Sequence, residues 1–172
     1  MALPVEAANP FTLLYTEIWK LATDNTVLET WLKARNKIDF SDWRGTKLDK
    51  TVADTPELTL TVEGGFTNIH SNSGTTQVNK TYSWILITSD MDINRVYNQV
   101  SWELLRSMVE WDVTLSALSW GSPAVNFVKN VAMLGSTEGI SFPEESEELT
   151  GWATSWPFEV EMHFPTSYLR HL

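Results

Sequence analysis

Three side chains near the carboxyl end of this 172-residue chain have the types and spacing that metal chemistry requires. They are Glu159, Glu161 and His163. Alternate residues of a β-strand point to the same face, so the three would project together. Carboxylates and imidazole are ligands of catalytic zinc, which makes a small metal-dependent hydrolase one hypothesis. The solvated face of an antiparallel strand needs the same alternation, and we prefer that interpretation.

A second acidic group lies in the segment Gly139–Gly151, which the sequence predicts to be a loop. Its carboxylates are Glu144, Glu145, Glu147 and Glu148. Such a group can chelate a hard cation such as calcium. The segment lacks the alternating Asp/Asn pattern and the central glycine of an EF-hand loop. We therefore interpret it as a solvated acidic loop.

Other signs of catalysis are missing from the sequence. The chain has no cysteine and three histidines. It contains no glycine-rich phosphate loop, no nucleophile elbow and no H-E-x-x-H motif. The sequence therefore predicts a protein that is not an enzyme, with no catalytic residue, no metal site and no cofactor.

The formal charge of −10 limits the partners that we expect. Proteins that bind the phosphate backbone carry basic patches, and adsorption to anionic membranes also needs positive charge. No apolar run is long enough to cross a bilayer, and the amino end lacks the pattern of a signal peptide. We expect no membrane association and no specific binding of nucleic acid.

One long amphipathic helix, Asp92–Leu118, is the element around which the fold is predicted to form. Its apolar stripe consists of Val96, Val100, Leu104, Met108, Trp111 and Leu115, widened by Tyr97, Leu105, Val109 and Leu118. Its surface is predicted to consist of Glu103, Arg106, Ser107, Glu110 and Asp112. A helix with so wide an apolar stripe needs a sheet to cover.

The remaining elements are two helices and four strands. Asn9 is predicted to cap the first helix, and Thr26 with Glu29 has the capping-box spacing that starts the second. The strands are predicted at Glu57–Glu63, Lys80–Asp90, Ala124–Gly135 and Trp152–Phe164. Pro157 predicts a bulge or an edge position in the last strand.

The fold class is therefore α+β. We predict a four-stranded antiparallel or mixed sheet packed by a long helix, with an N-terminal helical segment. Residues 1–172 are predicted to form one domain, with helices at about 9–36 and a sheet-and-helix core at about 56–165.

Candidate interface residues come from two places. The segment Gly64–Thr76 is rich in Gly, Ser, Asn and Thr and is interpreted as a mobile loop or hairpin tip, with Phe66, Ile69 and His70 as its contact residues. Three tryptophans outside the main stripes are further candidates. They are Trp19, Trp43 and Trp120.

The order of elements resembles that of the tail-terminator and neck proteins of long-tailed bacteriophages. The resemblance covers about Phe11 to Phe164. After a helical amino end, it consists of Pro56-Glu57-Leu58, the glycine-rich segment, Lys80-Thr81-Tyr82-Ser83-Trp84, the long helix, and a last strand with Gly151-Trp152-Ala153-Thr154-Ser155-Trp156 and Glu159-Val160-Glu161-Met162.

This resemblance implies a structural virion protein, made in the host cytoplasm and placed in the tail or neck. Such proteins form rings, commonly hexamers, that cap the tail tube and join it to the head. The implied partners are further copies of the chain, the tail tube and the head connector. DNA would pass through the ring, and Glu144, Glu145, Glu147 and Glu148 could face the channel. The alternatives are another tail or neck connector, a monomeric acidic interaction module and, least favoured, the hydrolase.

Overall fold

The computed structural model is an α+β arrangement with a mostly antiparallel sheet, as the sequence predicts. It describes residues 9–30, 57–88, 93–135, 137–143 and 150–169. Helix α1 spans Pro10–Thr23, α2 begins at residue 26 and is described to residue 30, and α3 spans Ile93–Ser116. The strands are β1 (Glu57–Ser71), β2 (Thr75–Thr88), β3 (Ser119–Trp120), β4 (Val125–Asn126), β5 (Val128–Met133), β6 (Thr137–Pro143) and β7 (Thr150–Pro165).

The main sheet has five strands in the order β1-β2-β7-β5, and β6 also pairs with β7. All these pairs are antiparallel. Because β2 occupies one edge of β7 along its length, β5 and β6 follow one another along the other edge. The strand predicted at Ala124–Gly135 is divided: β4 forms a separate two-stranded sheet with β3, and β5 joins the main sheet.

Strand β7 is central, which corrects the expectation from Pro157. Every residue of β2 has a partner in β7, with no register shift from one end to the other. The carbonyl of Pro157 accepts from the Leu134 N–H at 2.9 Å. The nitrogen and carbonyl of one strand residue point to the same side, so the missing N–H of Pro157 faces the gap between β5 and β6. The proline therefore removes no hydrogen bond to β2.

The segment Gly64–Thr76 forms the end of a β-hairpin, which is the second of the two predicted alternatives, and most of it is strand. Strand β1 continues to Ser71 and β2 begins at Thr75, so only residues 72–74 form the turn. The side-chain oxygen of Asn72 accepts from the N–H groups of Gly74 and Thr75, at 2.9 and 2.7 Å. Register shifts between Glu63 and Asn68 absorb the two glycines as irregularities in the pairing.

The helices cover one face of the sheet. On the β1–β2 side, Trp19 of α1 stacks on Trp84 with ring centroids 6.1 Å apart. On the β7 side, Trp111 of α3 contacts Phe158 with centroids 4.8 Å apart. The predicted helix stripe is confirmed as buried for Val100, Leu104 and Trp111, and the strand residues in the same core include Tyr82, Trp84, Leu86, Trp156, Phe158 and Val160. The side chain of Met108 lies outside the described part.

Helix α3 is rotated about its axis relative to the prediction. Leu105 and Val109 are exposed, although the sequence assigned them to the buried stripe. Glu103 and Ser107 are buried, although the sequence assigned them to the surface. The cause is the turn between α1 and α2, which packs against this flank of α3 and hydrogen-bonds to both residues through Asn25.

The buried hydroxyl of Tyr82 gives a pH-dependent prediction. That hydroxyl has no hydrogen-bond partner among the described residues. Burial, with a smaller contribution from Tyr15, raises the pKa of Tyr82 well above its ordinary value of 10.0. The phenol then stays protonated in the folded chain but loses its proton in the unfolded chain above pH 10, so stability falls as the pH rises past that point.

Replacement of Tyr82 by phenylalanine should remove this loss. We expect the free energy of unfolding of Tyr82→Phe to fall less steeply than that of the original chain above pH 10, by up to about 1.4 kcal/mol per pH unit. Urea titrations at a series of pH values from neutral to alkaline measure both slopes. Parallel curves for the two proteins would show that Tyr82 is not the group responsible.

Candidate functional site

The acidic and histidine residues of β7 lie on the face of the sheet away from the helices. Glu159, Glu161 and His163 alternate with buried core residues and are themselves half-buried. Glu159 accepts from the Thr67 hydroxyl at 2.7 Å and from the Asn79 amide at 2.9 Å. The His163 ring nitrogen Nε2 is 2.7 Å from Glu161 Oε1. The two bonds to Glu159 tie β1, β2 and β7 together.

A metal site is not assembled from these side chains. Within the ranges that the structure covers, no three His, Cys, Asp or Glu residues converge in a way that could hold a metal ion. Glu159 accepts hydrogen bonds from a hydroxyl and an amide, while Glu161 and His163 contact each other. The simpler interpretation, a polar outer face, fits these contacts.

A shallow depression of about 360 Å³ lies near the hairpin turn. Three of its lining residues form one cross-strand row, with His70 opposite Gln77 and Gln77 opposite His163. The nearby Ser71 hydroxyl lies 2.8 Å from the Thr76 hydroxyl and not against an imidazole. The row offers hydrogen-bonding groups but no serine–histidine pair of the kind that nucleophilic catalysis uses.

The first exposed apolar surface is on the hairpin, and we call it the hairpin surface. It consists of Val62, Phe66 and Ile69, all exposed. Phe66 also contacts Phe11 at 5.4 Å between ring centroids. Ile69 is 58% exposed. Strand β1 is at the end of the sheet order, so within the described chain its outer edge has no pairing strand.

The second exposed apolar surface is on α3, and we call it the outer ridge. It consists of Trp102, Leu105, Val109 and Val113, all more than half exposed. Steps of three and four residues place them on one face of the helix, opposite the buried stripe. Sequence reasoning missed Trp102 and Val113. The signal that could have identified them is a second apolar stripe on the helix, offset by half a turn from the first.

Beside the outer ridge lies a groove of about 650 Å³ between the α1–α2 turn and α3. Its apolar lining includes Leu21, Val27 and Val109, and its polar lining includes Asp24, Glu103 and Arg106. Glu103 is buried, and its two carboxylate oxygens each accept from Arg106 Nη1 at 3.2 Å. The groove therefore combines apolar walls with a fixed acidic floor.

Asn25 positions that floor. Its amide nitrogen donates to the Glu103 carboxylate at 3.2 Å and lies 3.1 Å from the Ser107 hydroxyl. Its amide oxygen accepts from the N–H groups of Val27 and Leu28, both at 3.1 Å. Asn25, not the predicted Thr26, is therefore the cap of α2.

The predicted tryptophan interface divides into different environments. Trp19 is 2% exposed and stacks on Trp84, so it presents almost no surface to a partner. Trp120 is half-buried, with edge contacts to Phe164 and Tyr168. Trp43 and the four loop carboxylates Glu144, Glu145, Glu147 and Glu148 lie outside the described residues.

Charge is distributed unevenly between the two apolar surfaces. Residues 64–89, which include most of the hairpin, contain no Asp or Glu, one lysine and one histidine, in a chain of formal charge −10. Around the groove, Asp24 and Glu103 outnumber Arg106, and α3 also carries Glu110 and Asp112. The hairpin is thus a part of the chain that can approach an acidic surface without repulsion between carboxylates.

The chain matches no protein-family model, and no curated protein is significantly similar to it in sequence. Of the helices that the structure describes, none combines the length and hydropathy needed to span a bilayer. The features that suggest a function are therefore the hairpin surface, the outer ridge and the groove.

Proposed function

We propose that this protein is a structural subunit that associates with copies of itself into a closed ring, of the type found in tail terminators and necks of long-tailed phages. One observation carries the proposal: two exposed apolar surfaces occupy different sides of the subunit. Exposed apolar patches typically mark protein interfaces. When two different patches on one chain fit each other, the contact is head-to-tail and generates a ring if the rotation closes.

The contacts of α1 place the two surfaces apart. Tyr15 of α1 donates to the Leu60 carbonyl of β1, and α1 also packs against α3. The helix thus lies between the hairpin edge and α3. The outer ridge points away from the sheet because it is opposite the buried stripe. Neighbouring copies could therefore use both surfaces at once.

The sequence resemblance suggests where such a ring would be placed, in the tail or neck of a long-tailed phage. In that setting β5 and β6 act as one interrupted edge strand, which gives the four strand positions packed by one long helix that the sequence pattern predicts. The partners are other copies of the chain, in a hexamer as that resemblance implies, together with the tail tube and the head connector. A high negative charge suits a channel through which DNA passes without binding.

Native mass measurement over a range of protein concentrations tests the ring. We expect a discrete species at a whole multiple of the 19.5 kDa subunit mass, and negative-stain images showing particles with an open centre. Val113→Asp, which places a charge on the outer ridge outside the core, should shift the population towards monomer. A chain that stays monomeric at every concentration would contradict the ring and favour the monomeric interaction module.

A further inference from the structure

We propose that the hairpin surface of one copy docks into the groove and outer ridge of the next copy. This inference rests on the proposed function, because it names the two surfaces that would join neighbouring subunits. The donor is the β1–β2 hairpin around Ile69. The acceptor is the groove between the α1–α2 turn and α3, bordered by Val109.

The hairpin has the properties of a donor. Phe66 and Ile69 are exposed on a strand whose backbone edge is also unpaired among the described residues. The hairpin is held in shape by its register with β2 and by the Asn72 turn. A preorganised segment loses less conformational entropy on binding than a mobile loop would.

The groove has the properties of an acceptor. Leu21, Val27 and Val109 provide apolar walls, and the ridge continues that surface through Leu105 and Val113. Apolar anchors that enter a desolvated pocket contribute most of the binding energy in protein interfaces. The bonds from Asn25 to Glu103 fix the floor of the groove before any partner arrives.

Charge favours a second copy as the occupant. Two copies of a chain with formal charge −10 repel each other on average, so contact is favoured where one side lacks carboxylates. The hairpin meets that condition: it has no Asp or Glu after Glu63 and carries Lys80, whereas the groove carries Asp24 and Glu103. The hairpin cannot reach the groove of its own chain, because α1 lies between them.

Cysteine cross-linking tests the pairing. The chain has no cysteine of its own, so only the introduced thiols can react. Ile69→Cys and Val109→Cys are made as separate variants with different tags, co-expressed, and treated with a short bismaleimide. The mixed assembly should give at least about tenfold more cross-linked dimer than either variant alone, since docking raises the local concentration of the two thiols. Leu169→Cys, another exposed position, replaces Ile69→Cys as the matched control.

The outcomes separate this inference from the proposed function. A discrete oligomer whose Ile69–Val109 cross-link does not exceed the Leu169 control would overturn the pairing and leave the ring intact. Strong cross-linking of Ile69→Cys with itself would also overturn it, because that result indicates a symmetric contact. A chain that is monomeric by native mass would remove the proposed function and the pairing with it.

Two variants of opposite charge at Ile69 give a second measurement. Ile69→Asp places a carboxylate against the acidic groove, whereas Ile69→Lys places a positive charge there and loses the same apolar anchor. We expect the association constant of the Asp variant to be lower than that of the Lys variant by about tenfold at low salt, with the gap closing as salt is added. Unchanged melting temperatures confirm that both variants fold. An Asp variant that associates as well as the Lys variant would overturn the pairing.

Discussion

Trp111→Ala is expected to lower the free energy of unfolding by about 3–5 kcal/mol. The side chain is 0% exposed and contacts Phe158 with ring centroids 4.8 Å apart. Removing the indole leaves a cavity between α3 and the centre of the sheet, and the close-packed neighbours relax only partly into it. Urea unfolding at a concentration at which the chain is monomeric measures the change.

Trp102 provides a matched control on the same helix. It is 59% exposed on the outer ridge. Trp102→Ala should change the free energy of unfolding of the monomer by no more than about 0.5 kcal/mol, as most surface substitutions do. Equal losses for the two variants would contradict the burial of Trp111 and the exposure of Trp102.

Asn25→Ala is expected to destabilise the protein by about 2–4 kcal/mol. Loss of the cap of α2 costs about 1 kcal/mol, and loss of a donor to a buried group costs about 1–3 kcal/mol. The buried group here is the Glu103 carboxylate, which would keep only its contact with Arg106 among the bonds described above. Thermal and urea unfolding measure the loss.

A double-mutant cycle identifies the source of that loss. Glu103→Gln keeps the size of the side chain and removes its charge. If Asn25 acts through Glu103, the two substitutions together should cost less than the sum of the single ones by about 0.5 kcal/mol or more. Asn98→Ala, at an exposed position near the start of α3, is the control and should have little effect. A small loss for Asn25→Ala, equal to that of the control, would show that the network contributes nothing to stability.

The elements that sequence reasoning predicted well have strong local patterns. In β7 the residues from Trp156 to Phe164 alternate between buried and half-buried without a break. In α3 the stripe through Val100, Leu104 and Trp111 follows the helical period and is buried. Both patterns reflect a single buried face, which composition and spacing determine directly.

The features that sequence reasoning missed depend on distant partners. The hairpin contains Gly64 and Gly65, which are unfavourable in a strand, and β1 continues past them because it pairs with β2 on both sides of the register shift. Helix α3 also has apolar residues outside its main stripe, so its own sequence does not decide how far the buried face extends around the helix. That boundary depends on Asn25, whose partner Glu103 is 78 positions away in the chain.

The candidate site residues also divide into those that the sequence predicted and those that depend on distant partners. Exposure of Phe66, Ile69 and His70 agrees with a role on the surface, and their part in assembly stays a prediction. Trp19 was selected because it is large and off the main stripe, but its stacking on Trp84 explains it as core. The groove involves α1, α2 and α3 together, so no single segment of sequence could predict it.

The uninterrupted pairing of β2 with β7 also constrains how the chain is made. All of α3 and four shorter strands are synthesised between these two partners. Until β7 leaves the ribosome, β2 has an open edge next to apolar side chains such as Trp84 and Leu86. Pairing over so long a separation in sequence is slow, and open apolar edges promote aggregation meanwhile. The yield of folded protein therefore depends on how well this nascent edge is protected during translation.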